Sequence, residues 1–132
     1  MDKFQTFLIN NQNYPLVVEG IDKNRLSNSV ILPASISSKA LGVVPGEKGY
    51  KVPKWLKELE DKYSVSQKTY LIIEGLDKID KDEQLKFFGI IKYNGINGYA
   101  FKNTQIVVLV EKGETHKINQ KILSLSLVYK DW

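Results

Sequence analysis

Residues 16–27 read Leu-Val-Val-Glu-Gly-Ile-Asp-Lys-Asn-Arg-Leu-Ser and carry the spacing of a phosphate cradle without its chemistry. A short apolar run enters Gly20, and Ser27 stands where the last residue of Gly-x-x-x-x-Gly-Lys-[Ser/Thr] would stand. The two positions before Ser27 hold Arg25 and Leu26. In an intact cradle the second glycine lets backbone N–H groups wrap the phosphates, and the lysine reaches the outer ones. Arginine does not adopt glycine's conformations freely, and leucine carries no charge. Gly20, Lys23, Arg25 and Ser27 therefore read as a vestigial nucleotide loop that holds no nucleotide.

Other chemistry-bearing residue types are sparse. His116 is the only histidine and sits in a polar stretch with Glu114, Thr115 and Lys117. Without a placed partner it reads as a solvated side chain and not as a base. Ser27, Ser35 and Ser38 lack the strand-to-helix elbow that exposes a nucleophilic serine. There is no cysteine, which excludes a disulfide framework, a thiolate metal site and a cysteine nucleophile. No catalytic residue, resident metal or cofactor is assigned.

The elements that must position these residues alternate in type. Phe4–Ile9 predicts a short helix or an extended arm, and Asn10–Asn13 a turn. Leu16-Val17-Val18 is a continuous apolar run, as a strand buried on both faces would be. Asp22–Ser29 reads as a loop or a poor helix, and Val30-Ile31-Leu32 as a strand stopped by Pro33. Ser35–Leu41 is a weak helix or turn, and Gly42–Gly49 a loop. Pro53 suits the first position of a helix with Trp55, Leu56, Leu59 and Tyr63 on its apolar stripe. Ser64–Lys68 is a polar connection. Thr69–Ile73 is a strand ending in Glu74-Gly75. Asp80 or Asp82 caps the next helix, whose buried side is Leu85, Phe87, Phe88 and Ile91. Asn94–Phe101 has hairpin chemistry. Ile106–Val110 is a β-branched central strand, Asn119–Leu123 a helical turn, and Leu125–Tyr129 a last strand. Strands alternating with helices imply a mainly parallel sheet in a three-layer α/β sandwich, read as a single domain over 1–132. Val18–Lys23 and Ile73–Lys78 resemble each other as strand ends, over too few residues to be a repeat.

Composition sets the class. The 132 residues are 42% apolar and 26% charged, with no run long enough to span a bilayer. No apolar h-region follows Met1-Asp2-Lys3, so a cytoplasmic location is expected. The net charge of +4 comes from scattered lysines, with Arg25 the only arginine among 19 basic residues. Bidentate phosphate and base recognition favours arginine, so a lysine-rich solvated surface accounts for the charge.

From Thr69 onward the order of elements resembles the core of AAA+ ATPases, in particular the MoxR-like branch. Tyr70–Ile79 resembles that family's Walker B strand and the turn after it, and Asp82-Glu83-Gln84 opens a helix as the family's does. Gly95–Phe101 resembles its hairpin, Asn103–Val110 its sensor strand, and Ile118–Leu125 the segment leading to its arginine finger. Pro53-Lys54-Trp55-Leu56 resembles the helix before Walker B. The resemblance implies a P-loop NTPase-like fold, and the departures fall on working residues. The magnesium-holding position is Glu74, the general-base position Gly75, the sensor position falls near Glu111 and the arginine finger near Leu125. The chain stops at Trp132, so a core without the family's helical lid is expected. Phosphate binding, water activation and charge stabilisation are each missing, and ATP hydrolysis is not expected.

The same sheet order places the strand ending at Glu111 between those ending at Glu19 and Glu74. Three carboxylates then share the carboxyl edge, where open α/β sheets bind ligands. They read either as an oxygen site for magnesium or calcium or as carboxylates neutralised by Lys23, Lys78 and Lys112 or by backbone N–H groups. The function expected from the resemblance is a non-catalytic binding or regulatory module that contacts a AAA+ ATPase or itself. The alternative is a nucleic-acid-binding accessory subunit of a clamp-loader or helicase-loader complex, and a third reading is a metalloenzyme at the carboxylate edge. Asn97, Tyr99 and Phe101 mark the candidate interaction hairpin. Trp55 and Phe88 read as core anchors, and Tyr129 and Trp132 as possible interface aromatics.

Overall fold

A computed structural model describes residues 2–42, 52–63 and 68–130. Trp132 and the expected Gly42–Gly49 loop after Gly42 lie outside the described residues. Helix α1 (Lys3–Asn10) starts from a capping box in which Asp2 accepts the Gln5 N–H and Gln5 accepts that of Asp2. Its apolar spacing turns Phe4 and Leu8 inward. The chain continues through β1 (Leu16–Glu19), β2 (Ser29–Pro33), α2 (Ser38–Leu41), α3 (Lys54–Tyr63) and β3 (Thr69–Glu74). It then forms α4 (Lys81–Gln84), α5 (Phe88–Tyr93), a hairpin of β4 (Gly95–Ile96) and β5 (Tyr99–Ala100), β6 (Thr104–Val110), α6 (Gln120–Leu123) and β7 (Leu127–Lys130). The last strand begins two residues later than the sequence suggests. The N–H groups of Leu125 and Ser126 bond back to the carbonyls of Ile122 and Leu123, prolonging the helical turn.

Five strands form one sheet in the order β2-β3-β6-β1-β7, and every neighbouring pair is parallel. Val17 is level with Val108, and Ile72 with Val107. The α/β class and the mainly parallel sheet expected from the sequence are therefore present, flanked by helices on both faces. Strand β6 is buried along its whole length, as its unbroken β-branched run requires.

The two faces are covered unequally. On one, Val17, Leu71, Ile73, Ile106 and Val108 pack with Trp55, Leu56 and Leu59 of α3, Ile90 and Ile91 of α5, and Ile122 of α6. On the other, Leu16, Val18, Ile72, Val107 and Leu109 pack with Phe4 and Leu8 of α1, with Tyr129, and with Leu26. Phe88 is only half buried, under the ammonium of Lys92, so α5 anchors through Ile90 and Ile91 instead. Among the described residues no helix is long and apolar enough to cross a membrane.

Candidate functional site at the carboxyl edge

The loops after β1, β3 and β6 line an open cleft of about 570 Å³, bordered by charged side chains, at the carboxyl edge of the sheet. Gly20, Lys23, Glu74, Asp77, Lys78 and Glu111 are among its lining residues. Sequence reasoning therefore brings Gly20, Lys23, Glu74 and Glu111 to one place, and the strand ending at Glu111 does lie between the other two.

The carboxylates do not converge. Side chains alternate across a strand. Glu19 shares the face of Val17, two residues before it, and Glu74 shares the opposite face with Ile72. Glu19 is 3% exposed and accepts the Gly113 N–H at 2.7 Å and the Thr115 hydroxyl at 2.5 Å. These two donors, the hydroxyl first, hold its carboxyl below the usual carboxylate range despite burial. Glu74 pairs with Lys23 at 3.3 Å and Glu111 with Lys78 at 2.9 Å. The Glu111 carboxylate holds the Lys78 ammonium above its ordinary pKa. Among the described residues no three potential ligands are grouped to hold a metal ion.

Asp77 and Gln84 are the residues of this region that the sequence does not single out. Asp77 is buried, accepts the Glu111 N–H at 3.3 Å and lies 3.7 Å from the Lys78 ammonium. Gln84 is fully buried. Its Nε2 donates to the carbonyls of Leu76, Ile79 and Lys117, and its Oε1 accepts the Asn119 N–H at 2.7 Å. It fastens the turn after β3 to the turn before α6. Its only sequence signal is its place next to two acidic residues at a helix start.

Residues 20–27 form a strap and not a compact phosphate turn. Gly20 takes a left-handed φ of +76° and gives its N–H to the Val110 carbonyl at 3.0 Å. Asp22 caps a single 3₁₀ turn over Lys23–Arg25. Leu26 then plugs into the face formed by Leu16, Val18, Ile72 and Val107 and is 2% exposed. Arg25 ion-pairs with Asp2 and lies 5.1 Å from the centre of the Phe4 ring. The segment crosses the face and delivers Asn28, whose carbonyl accepts the Tyr70 N–H at the start of β3. Gly20 and Ser27 thus sit at opposite edges of the sheet, which corrects the expectation that Gly20, Lys23, Arg25 and Ser27 form one loop.

The candidate hairpin divides in the same way. Phe101 is a core side chain packed edge-on against Trp55 at 5.8 Å, so it does not present a ring to a partner. Asn97 donates to the Gly42 carbonyl at 2.9 Å, and Tyr99 is half buried, its hydroxyl pKa raised by burial. An apolar groove of about 570 Å³ runs between this hairpin and α5, with Leu85, Ile90, Tyr93, Ile96 and Tyr99 among its walls. Tyr129 is buried against Phe4 and Phe7. His116 is exposed, 4.0 Å from Glu114. Ser35 and Ser38 are exposed, and Ser37 accepts the Ala40 N–H to cap α2.

No protein-family model matches the chain, and no curated protein matches it.

Chemically, the carboxyl-edge cleft is a balanced set of ion pairs. Two of its lysines already hold carboxylates, and the Gly20 N–H is engaged by the backbone of β6. A triphosphate entering it would meet the carboxylates of Asp22, Glu74, Asp77 and Glu111 beside Lys23, Lys78 and Lys112, an excess of like charge that disfavours binding.

Proposed function

We propose that the chain is a non-catalytic module with a AAA+-like core that acts through protein–protein contacts, with either a AAA+ ATPase or a second copy as partner. The observation that carries this reading is the strap. Where the resemblance implies a nucleotide cradle, Leu26 is a core plug and the Gly20 N–H is bonded to Val110. The strand order supports it too, since the Glu111 strand lies where the family's order puts it. The groove between α5 and the hairpin supplies an apolar surface for the contact, with Tyr93 70% exposed at its rim.

Two measurements test the two halves. Calorimetric titration with MgATP should give no heat of binding, and micromolar affinity overturns the non-catalytic half. A Cβ on Gly89 meets nothing within 4 Å, so Gly89→Arg fills the groove without disturbing the fold. Sedimentation velocity of the chain, alone and with AAA+ ATPases of its host, should show an association that Gly89→Arg removes. A chain that stays monomeric in every mixture, or an association indifferent to Gly89→Arg, overturns the contact half.

A further inference from the structure

Because all five strands of the large sheet are parallel, the loops that precede them gather at the opposite, amino edge. These loops are far apart in sequence, and their charge pattern is visible only after folding. The described loop residues there are 11–15, 27–28, 68, 92–94, 102–103 and 124–126, none of them acidic, while the C-terminal turn of α3 reaches the same edge with Tyr63 beside Thr104 and Lys102 and brings Glu60 and Asp61. Lys68, Lys92 and Lys102 are the charged loop residues. Two adjoining polar hollows of about 200 and 220 Å³ share Gln12, Asn13, Asn94 and Thr104 in their linings. Tyr14 is 54% exposed and Tyr93 70% exposed at the same edge.

The floor of this edge is rigidly built. Gln105, 3% exposed, donates from Nε2 to the carbonyls of Asn11 and Tyr14, each at 2.7 Å. Its Oε1 accepts Lys68 Nζ at 2.8 Å, and Lys68 also reaches the Gln12 carbonyl at 3.2 Å. Asn94 donates to the Thr104 carbonyl at 3.1 Å. Lys92 has no carboxylate within ion-pair distance among the described residues and lies 5.4 Å from the centre of the Tyr93 ring. Gln12, Asn13 and Asn103 stay exposed above this floor.

We propose that the amino edge of the sheet binds single-stranded nucleic acid, with Lys92 and Lys102 on the phosphates, the Tyr93 and Tyr14 rings under bases, and Gln12, Asn13 and Asn103 at base edges. Each part matches a need of that ligand. Aromatic faces stack with any base, and exposed lysines without an ion pair follow the backbone. Side-chain amides offer both donors and acceptors. A duplex is a poorer fit, because among the described residues no helix or ribbon projects from this edge to enter a groove. An acidic peptide would engage the lysines but leave the phenol faces and amides without a role. This surface is separate from the carboxyl-edge cleft and shares only Tyr93 with the groove proposed for the protein contact, so Lys92→Ala with Lys102→Ala on one side and Gly89→Arg on the other keep the two readings apart.

The test is fluorescence anisotropy with labelled oligothymidylate and oligouridylate, against a duplex of equal length and polyglutamate. Single strands should bind best, with a log–log salt slope of about −1.4 for two lysine contacts. Tyr93→Ala should weaken binding about tenfold, and Lys92→Ala with Lys102→Ala should flatten the slope. Lys3→Ala, which removes one charge at the far end of α1, should leave both unchanged. None of these side chains belongs to either core, so circular dichroism should report folded variants. Absence of single-strand binding at low salt overturns the proposal. So does binding unaffected by Tyr93→Ala and the lysine pair, or duplex or polyglutamate binding as tight as that of the single strands.

Discussion

Restoring the missing residues of the phosphate cradle should damage the protein without giving it a nucleotide site. The double variant Arg25→Gly, Leu26→Lys recreates the Gly-Lys-Ser end of the motif. Leu26 is 2% exposed and packs with Phe4, Leu8, Leu16 and Val18. Losing a fully buried leucine side chain costs about 1.5–3 kcal/mol in transfer alone. The lysine must also carry its ammonium out of that face, or leave a cavity behind, so the cost at this position rises toward about 3–4 kcal/mol. Arg25→Gly forfeits the contact over the Phe4 ring, worth about 0.5–1 kcal/mol at an exposed site, and an ion pair with Asp2 that adds little in solvent. A total of about 3–5 kcal/mol lowers Tm by roughly 10–20 °C for a chain of this size. Thermal unfolding by circular dichroism measures the shift, and calorimetry with MgATP measures binding. A variant that unfolds within about 3 °C of the parent and binds MgATP would refute the strap, because it would mean that residues 20–27 can close into a loop.

Three further perturbations probe the rest of the site. The donors on Glu19 lower its folded pKa, so its contribution is complete above the ordinary glutamate value of about 4.3 and is lost as pH falls through the depressed folded value. Glu19→Gln should therefore cost about 1–2 kcal/mol at neutral pH, and denaturant titrations should show the gap to the parent closing in acid; a gap independent of pH would contradict the assignment. Gln84→Ala takes the donor from the Leu76, Ile79 and Lys117 carbonyls, of which Leu76 keeps the Ile79 N–H, leaves the Asn119 N–H unpaired and should destabilise by about 2–3 kcal/mol in chemical denaturation, whereas an unchanged midpoint would show that the clamp carries no weight. At Gly95 an added Cβ would stand 2.3 Å from the Tyr99 carbonyl oxygen, so Gly95→Ala should cost about 1–3 kcal/mol and broaden the hairpin resonances in NMR; a spectrum unchanged at Tyr99 and Ala100 would rule out the tight crossing.

The strands were legible where burial on both faces writes an unbroken apolar run, as in Leu16–Val18 and Ile106–Val110, since no polar residue fits there. The Glu19, Glu74 and Glu111 ends were legible for the same reason, because a charge marks where a buried strand stops. Their failure to meet was not legible, because it follows from the register across β6, which sets Glu19 level with Val110 and Glu74 with Leu109 and so turns them to opposite faces. Arg25, Leu26 and Ser27 misled because a motif is a list of residue types, and Leu26 fits equally a broken cradle and a core plug. Only the packing of Phe4 and Leu8 decides between them. Phe101 misled in the same manner, since a hairpin aromatic has no local signal for the Trp55 ring it meets. The amino edge was invisible because its lysines are separated by long stretches of chain.

Among the described residues, strand β1 has no partner in the first hundred. Its neighbours are β6 and β7, and both come from the last thirty residues. During synthesis from the N-terminus, Leu16-Val17-Val18 therefore waits unpaired while most of the polypeptide emerges, and only the β2–β3 ribbon can form in the interval. The central pairings of the sheet therefore join segments far apart in sequence, and such non-local contacts close late and slowly.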